Sequence, residues 1–200
     1  MSSPESPSAG LADPTTLEPY HRKSRDTTSG TAKPGEELLQ VVIETPRGSR
    51  NKYSFDTEQR VFRLKSSRPA GMAFPYDFGF VPGTIGGDGD PLDVLVLMEE
   101  PTFPGCVLLV RLLGAMEVEQ TERGKTKRND RLIAVAEVSE TFANFETIDD
   151  LPRQLRTEID QFFTNYHRLQ GKESHTLTWK KPAGAQRLID EARKRHAAGS

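Results

Sequence analysis

Asp88-Gly89-Asp90-Pro91-Leu92-Asp93 places three carboxylates within six residues. Gly86-Gly87 precedes them, and Val94-Leu95-Val96-Leu97 follows at once. That short valine and leucine run reads as a buried strand, so the acidic turn lies at a strand's entry. Gly89 and Pro91 suit a tight bend that folds the carboxylates toward one point. Negative charges brought together repel in water, and more so when partly buried. Mg2+ or Mn2+ is the natural counter-charge, because hard cations choose carboxylate oxygens and keep several waters. Two readings compete with this one: an Asp-Gly turn that binds nothing, and a calcium loop. Against the second, Pro91 and Leu92 stand where an EF-hand loop requires a ligand and a glycine, and no glutamate closes the loop.

The elements that must position this turn follow from pattern. Leu38 to Glu44 is a first strand, ended by Pro46 and Gly48. Glu44 closes its β-branched run, where a carboxylate faces either a cavity or solvent. Lys52 to Asp56 alternates as a second strand, and Val61 to Leu64 is its hairpin partner. Lys52, Lys65 and Arg68 each suit a phosphate, and each alone suits a solvated surface equally. Residues 69–87 read as a long functional loop whose Phe74, Tyr76, Phe78 and Phe80 form core and cavity wall. Val107 to Leu113 is an apolar strand that continues past a bend to Val118. Residues 119–130 read as a solvated polar loop carrying Arg123, Lys125, Lys127 and Arg128. Leu132 to Ala136 closes the set of strands.

Residues 148–170 read as one amphipathic helix with Leu151, Leu155, Ile159, Phe162, Tyr166 and Leu169 on its apolar face. A second helix covers about 183–196 and has a cationic end suited to the helix dipole. Strands first and helices last predict an α+β fold. About five strands with long connections fit a small closed OB-like β-barrel with two C-terminal helices.

Composition sets the outer bounds. The 200 residues allow one domain with a sizeable core plus a tail. Residues 1–35, rich in Ser, Pro, Thr and Gly, read as a disordered N-terminal tail, and 36–198 as the domain. A 34% apolar fraction and a mean hydropathy of −0.60 agree with a polar extension. The net charge of −2 calls for neither nucleic acid nor an acidic membrane. Cys106 is the single cysteine, which excludes an intramolecular disulfide and suits a reducing compartment. No stretch is apolar enough to cross a bilayer and no signal-peptide core is present, so a cytoplasmic protein is expected.

Asp88-Gly89-Asp90-Pro91-Leu92-Asp93-Val94 resembles the D-x-D-P-x-D signature of soluble family I inorganic pyrophosphatases. Phe74-Pro75-Tyr76-Asp77-Phe78-Gly79-Phe80-Val81-Pro82 resembles that family's YP-x-x-YG-(F/Y)-(I/V)-P block. Val41 to Pro46 with Lys52-Tyr53 resembles its opening. Pro104-Gly105, Arg131 to Val135, and Phe162-Phe163 through Tyr166 follow in the family's order, so the likeness spans about residues 38–180. The resemblance implies the OB-like barrel, a homo-oligomer and Mg2+-dependent hydrolysis of inorganic pyrophosphate. It implies metal ligation by Asp88 and Asp93, with Asp93 bridging two ions, and proton acceptance by Asp90. It implies metal contact at Glu44 and phosphate contact at Lys52, Arg131 and Tyr166.

Several positions depart from the pattern. Ser54 stands for a glutamate, Ser66 for an arginine, and Phe74 and Phe78 for tyrosines. Lys65 and Arg68 are the stand-ins for that arginine, and Lys65 is taken as substrate-binding. The family's D-x-K appears as Asn129-Asp130-Arg131, and a shift in spacing would bring in Asp130 as the metal ligand. Glu119 and Glu122 are candidates for a further aspartate, and His167 stands for a lysine. A working pyrophosphatase is therefore weighed against a weakly active paralogue that binds phosphate-bearing ligands or regulates a partner. An OB-fold nucleic-acid binder fits neither the balanced charge nor the acidic centre.

Overall fold

A computed structural model describes residues 13–22, 30 and 37–199 of the chain. In order, the strands are β1 (Tyr20–Arg22), β2 (Glu37–Thr45), β3 (Asn51–Asp56), β4 (Val61–Ser67), β5 (Asp77–Val81), β6 (Leu92–Leu97), β7 (Val107–Glu122), β8 (Lys125–Arg128) and β9 (Arg131–Ala136). Helix α1 (Arg153–Arg168), β10 (Glu173–Lys180) and α2 (Pro182–Gly199) complete the chain. The pairing order is β1-β2-β5-β6-β9-β7-β10, with β8 on β7, and β7 pairs again with β2. Strands β3 and β4 form a separate hairpin. This is an α+β fold with two C-terminal helices, although a strand separates them.

Beyond Asp93 and Arg131 near their starts, strands β6 and β9 are continuously apolar because both of their faces are buried. Val94 and Val96 of β6, with Leu132 and Ala134 of β9, pack into one core with Ile189 and Ala192 of α2. Leu95, Leu97, Ile133 and Val135 point the other way, into a second core with Phe74, Phe78, Ile159 and Phe163. Strand β5 is wholly buried inside the stretch read as a loop. Its Gly79 is required by close packing, since a Cβ there would lie 2.0 Å from the Val42 carbonyl oxygen.

Other expectations need correction. Residues 119–130 are the end of β7, a turn and β8, not a loop; their polar composition hid a solvent-facing hairpin. The predicted helix over 148–170 is a 3-10 turn at Ile148–Asp150 followed by α1, with Pro152 at the boundary. Residues 13–22 do not behave as a disordered tail. Asp13 caps a 3-10 turn, β1 pairs with β2, and the Gly83 N–H donates to the Thr15 carbonyl at 3.1 Å. The Tyr20 hydroxyl also accepts from Gln186 on α2 at 2.6 Å. A three-residue edge strand needs backbone partners more than apolar side chains, so composition gave no sign of it. The remainder of the expected tail lies outside the described residues, except Gly30.

Candidate active site

A cleft of about 1120 Å³ opens between the β3–β4 hairpin, the loop before β6, the β7–β8 hairpin and the last turns of α1. Glu44, Lys52, Lys65, Asp88, Asp90, Asp93, Arg131 and Tyr166 all line it. Residues from 44 to 166 are thus brought to one place, while Asp130 is left out.

The acidic wall is built locally. Gly89 takes φ +100°, a conformation that favours glycine, and so turns the chain between Asp88 and Asp90. The Gly86 N–H donates to the Asp90 carbonyl at 2.6 Å, and the Asp90 N–H to Asp88 Oδ1 at 3.2 Å. Thr84 closes the loop's base: its Oγ1 donates to Val81 O and accepts from the Leu92 N–H. Asp93 lies in β6 between Phe80 of β5 and Arg131 of β9, its partners in register. Burial pushes the Asp93 carboxyl up to about 7; Arg131 and Lys52 pull it down, while Asp88 and Glu44 push it further up. Burial also raises Asp88, with Asp90 adding repulsion. Glu44 is already engaged, accepting from Lys52 Nζ at 2.8 Å and from the Phe55 N–H at 3.1 Å.

The facing wall is cationic and aromatic. Arg131 is 1% exposed, and its guanidinium carbon sits 4.3 Å from the Phe163 ring centroid. Its Nη1 donates to the Asn129 carbonyl at 3.0 Å, and its Nη2 lies 3.1 Å from His167 Nε2. A guanidinium only donates, so Nε2 accepts and the His167 proton sits on Nδ1. Burial, then Arg131, Lys172 and Arg68, depress the His167 pKa to about 3, and the ring is neutral. Arg68 stacks on Tyr166 at 4.2 Å and donates from Nη2 to the Tyr166 hydroxyl and to Ser66 Oγ, both at 3.0 Å. Lys52 Nζ rests 4.3 Å above the Phe78 ring.

The structure does not bring Asp130 to the cleft: Asn129 and Arg131 line it, while Asp130, in the two-residue link between β8 and β9, is engaged elsewhere. Its Oδ1 accepts from the Val118 N–H at 2.9 Å and from Arg128 Nη2 at 2.8 Å. Arg68 is the residue placed against Tyr166, whereas Lys65 is exposed at the rim. Of the two glutamates considered, Glu122 lines the cleft, paired with Lys172 at 3.2 Å, and Glu119 does not. The β7–β8 hairpin also overhangs the cleft, and Lys127 Nζ donates to the Asp88 carbonyl at 3.3 Å. The D-x-K spacing taken without a shift was the sequence signal that would have selected Asn129 over Asp130.

Among the described residues, no three carboxylate, imidazole or thiol groups stand close enough to form a ready-made ligand set. The donors at the acidic wall are hard oxygens spread along a concave face. That suits a cation that retains most of its waters, as magnesium does, better than an all-protein calcium cage.

A family model described as inorganic pyrophosphatase matches residues 41–197. The inorganic pyrophosphatase of Synechocystis sp. is 36% identical over 165 residues, which cover 82% of this chain and 95% of that one. Its counterpart from Geobacillus stearothermophilus is 39% identical over 155 residues, covering 78% and 92%. The crystal structure of inorganic pyrophosphatase from Thermus thermophilus matches with a TM-score of 0.78 at 29% identity, over 93% of this chain and 99% of that one. The family model and both relatives match over most of the chain, which therefore belongs to the inorganic pyrophosphatase family.

Proposed function

We propose that the chain hydrolyses inorganic pyrophosphate to two phosphates in this cleft, with Mg2+ as cofactor and Mn2+ as a substitute. The supporting observation is that the three aspartates of the acidic turn face Arg131, Arg68, Lys52 and Tyr166 across one cleft. A bound divalent cation supplies positive charge that polarises phosphoryl oxygens and acidifies water. Asp88 and Asp93 are the residues that would hold it, with Glu44 at the edge of the set. Asp90, exposed at the turn's tip, takes the proton of the attacking water. The water oxygen bonds to one phosphorus as the bridging P–O bond breaks, and the leaving phosphate keeps the electron pair. Arg131, Arg68, Lys52 and the Tyr166 hydroxyl receive that charge. Arg68 thereby fills the phosphate role first assigned to Lys65.

The same reading takes the circuit β2-β5-β6-β9-β7 as a closed OB-like barrel, supported by the return pairing of β7 with β2. It takes 36–198 as the domain, a homo-oligomer as the assembly and the cytoplasm as its place. Exposed Phe103 and Leu64 are surface that a second copy would cover, and the lone cysteine suits a reducing compartment. The test is phosphate release from pyrophosphate by the full chain, with Mg2+ and with excess chelator. Release only in the presence of Mg2+ is expected; no release at any Mg2+ or Mn2+ concentration would overturn the reading.

A further inference from the structure

Arg131 and Asp93 are register partners on adjacent parallel strands and form a loose ion pair, yet they make no hydrogen bond. Arg131 Nε lies 3.7 Å from Asp93 Oδ2 and has no hydrogen-bond partner although it is buried. Three contacts hold the guanidinium at that distance: the Phe163 face, the Asn129 carbonyl and His167 Nε2. Of these, only His167 is a side-chain acceptor. The ring is itself fixed, 3% exposed and stacked on Phe163 with 26° between planes. Its Nδ1 is buried and makes no hydrogen bond.

We propose that His167 is a positioning residue that holds Arg131 away from Asp93, so that the Asp93 carboxylate stays available to a cation and Arg131 to phosphate. The inference rests on the pyrophosphatase reading for its consequence, but the lock itself is a property of the chain. Without an acceptor at Nε2, a buried guanidinium N–H is left unpaired. The nearest charged acceptor is Asp93, and closing the 3.7 Å gap turns the loose ion pair into a charge-assisted hydrogen bond. That pair removes a carboxylate from the acidic wall and a cation from the facing wall in one movement. A cation in place of the imidazole would repel Arg131 and break the lock from the other side. The neutral ring is therefore part of the device, and burial, with Arg131, Lys172 and Arg68 around it, keeps it neutral.

Two amide substitutions separate the ring's nitrogens. In His167→Gln the amide oxygen reaches the Nε2 position, while in His167→Asn the shorter amide reaches only Nδ1. Both full-length variants are titrated with Mn2+ by calorimetry without substrate, and assayed for pyrophosphate KM and kcat over a range of Mg2+. His167→Gln is expected to keep Mn2+ affinity and KM. His167→Asn is expected to lose about 10-fold in Mn2+ affinity, the scale seen when a residue supporting a ligand is removed. Its KM should rise more than its kcat falls. Equal behaviour of the two variants, or a functional Asn beside an impaired Gln, would overturn the proposal. Should either variant not fold, long-range 1H–15N NMR of the parent protein decides through the tautomer. A neutral ring with its proton on Nδ1 is expected, and a proton on Nε2 would refute the lock. If the parent binds Mn2+ but releases no phosphate, the functional reading fails while both binding and tautomer still test the lock.

Discussion

The acidic wall, residues 84–93, and the facing wall of Arg68, Arg131, Tyr166 and His167 handle charge in opposite ways. The acidic wall gathers like charges on one short loop and leaves them poorly compensated. Burial raises both Asp88 and Asp93, and the neighbouring carboxylates Asp90 and Glu44 add to the strain. Backbone hydrogen bonds within the loop hold that geometry without neutralising it. The facing wall is built from the residue after β4, from β9 and from α1, far apart in sequence, and each of its arginines rests on an aromatic ring. The side chain hydrogen-bonded to Arg131 is a neutral histidine, so one buried cation is oriented without a second one repelling it. The acidic wall thus lacks a partner that must arrive from solution, whereas the facing wall is ordered before anything binds.

That contrast breaks most severely at Asp93. Asp93→Asn should lower kcat at least about 10²-fold, the scale on which a charged group at a reacting centre acts. In metal-free protein the same change should raise Tm by about 2–4 °C, since relief of about 1 kcal/mol shifts a chain of this size that far. Calorimetry and phosphate release on one preparation check both; a lower metal-free Tm would mean that the carboxylate supports the turn and does not strain it.

The next effect separates Asp88 from Asp90. Asp88→Asn should raise the Mg2+ needed for half-activation by about 10-fold, with partial rescue by excess Mg2+. Asp90→Asn should lower kcat by about 10²-fold and change the pH–rate profile with little change in Mg2+ requirement. Equal Mg2+ requirements in the two variants would contradict the division of roles.

On the facing wall, Arg68→Ala should raise the pyrophosphate KM about 10-fold, the worth of one charged hydrogen bond. Lys65→Ala should stay within about twofold, as expected of an exposed charge. Steady-state kinetics showing the reverse order would restore Lys65 as the phosphate contact. Asp130→Ala should cost about 1–3 kcal/mol of stability by orphaning the Val118 N–H and leaving Arg128 with Glu117 alone, and leave the Mg2+ requirement unchanged. Denaturant unfolding and a Mg2+ titration test the two halves separately.

The last effect is a pH slope. The His167 pKa is pushed down to about 3 in the folded chain from its ordinary 6.5, so below about 6.5 the unfolded chain binds the proton first. Stability should therefore fall as pH drops from 6.5 toward 3, by at most about 1.4 kcal/mol per pH unit from this group. His167→Gln should flatten that slope relative to the parent. Identical slopes in urea unfolding at pH 4.5 and 6.5 would show that the ring protonates freely in the fold.

The sequence by itself determined the acidic turn, the buried β6 and β9, the hairpin of β3 and β4, and the family. These are local signals: glycine and proline set the bend, and unbroken apolar runs mark strands buried on both faces. Strand β5 was not legible, because Asp77 and Gly79 interrupt its apolar pattern; Asp77 is buried and accepts from the Arg47 and Thr102 N–H groups, and Gly79 answers to Val42. Only the tertiary structure decided which cations matter and in what state. Arg68 became a site residue through Tyr166, 98 positions away. His167 became a neutral acceptor only because β9 buries Arg131 beside it, and desolvation next to a cation removes the imidazole's own charge. Burial and charge act through space, so the residue type alone could not reveal them.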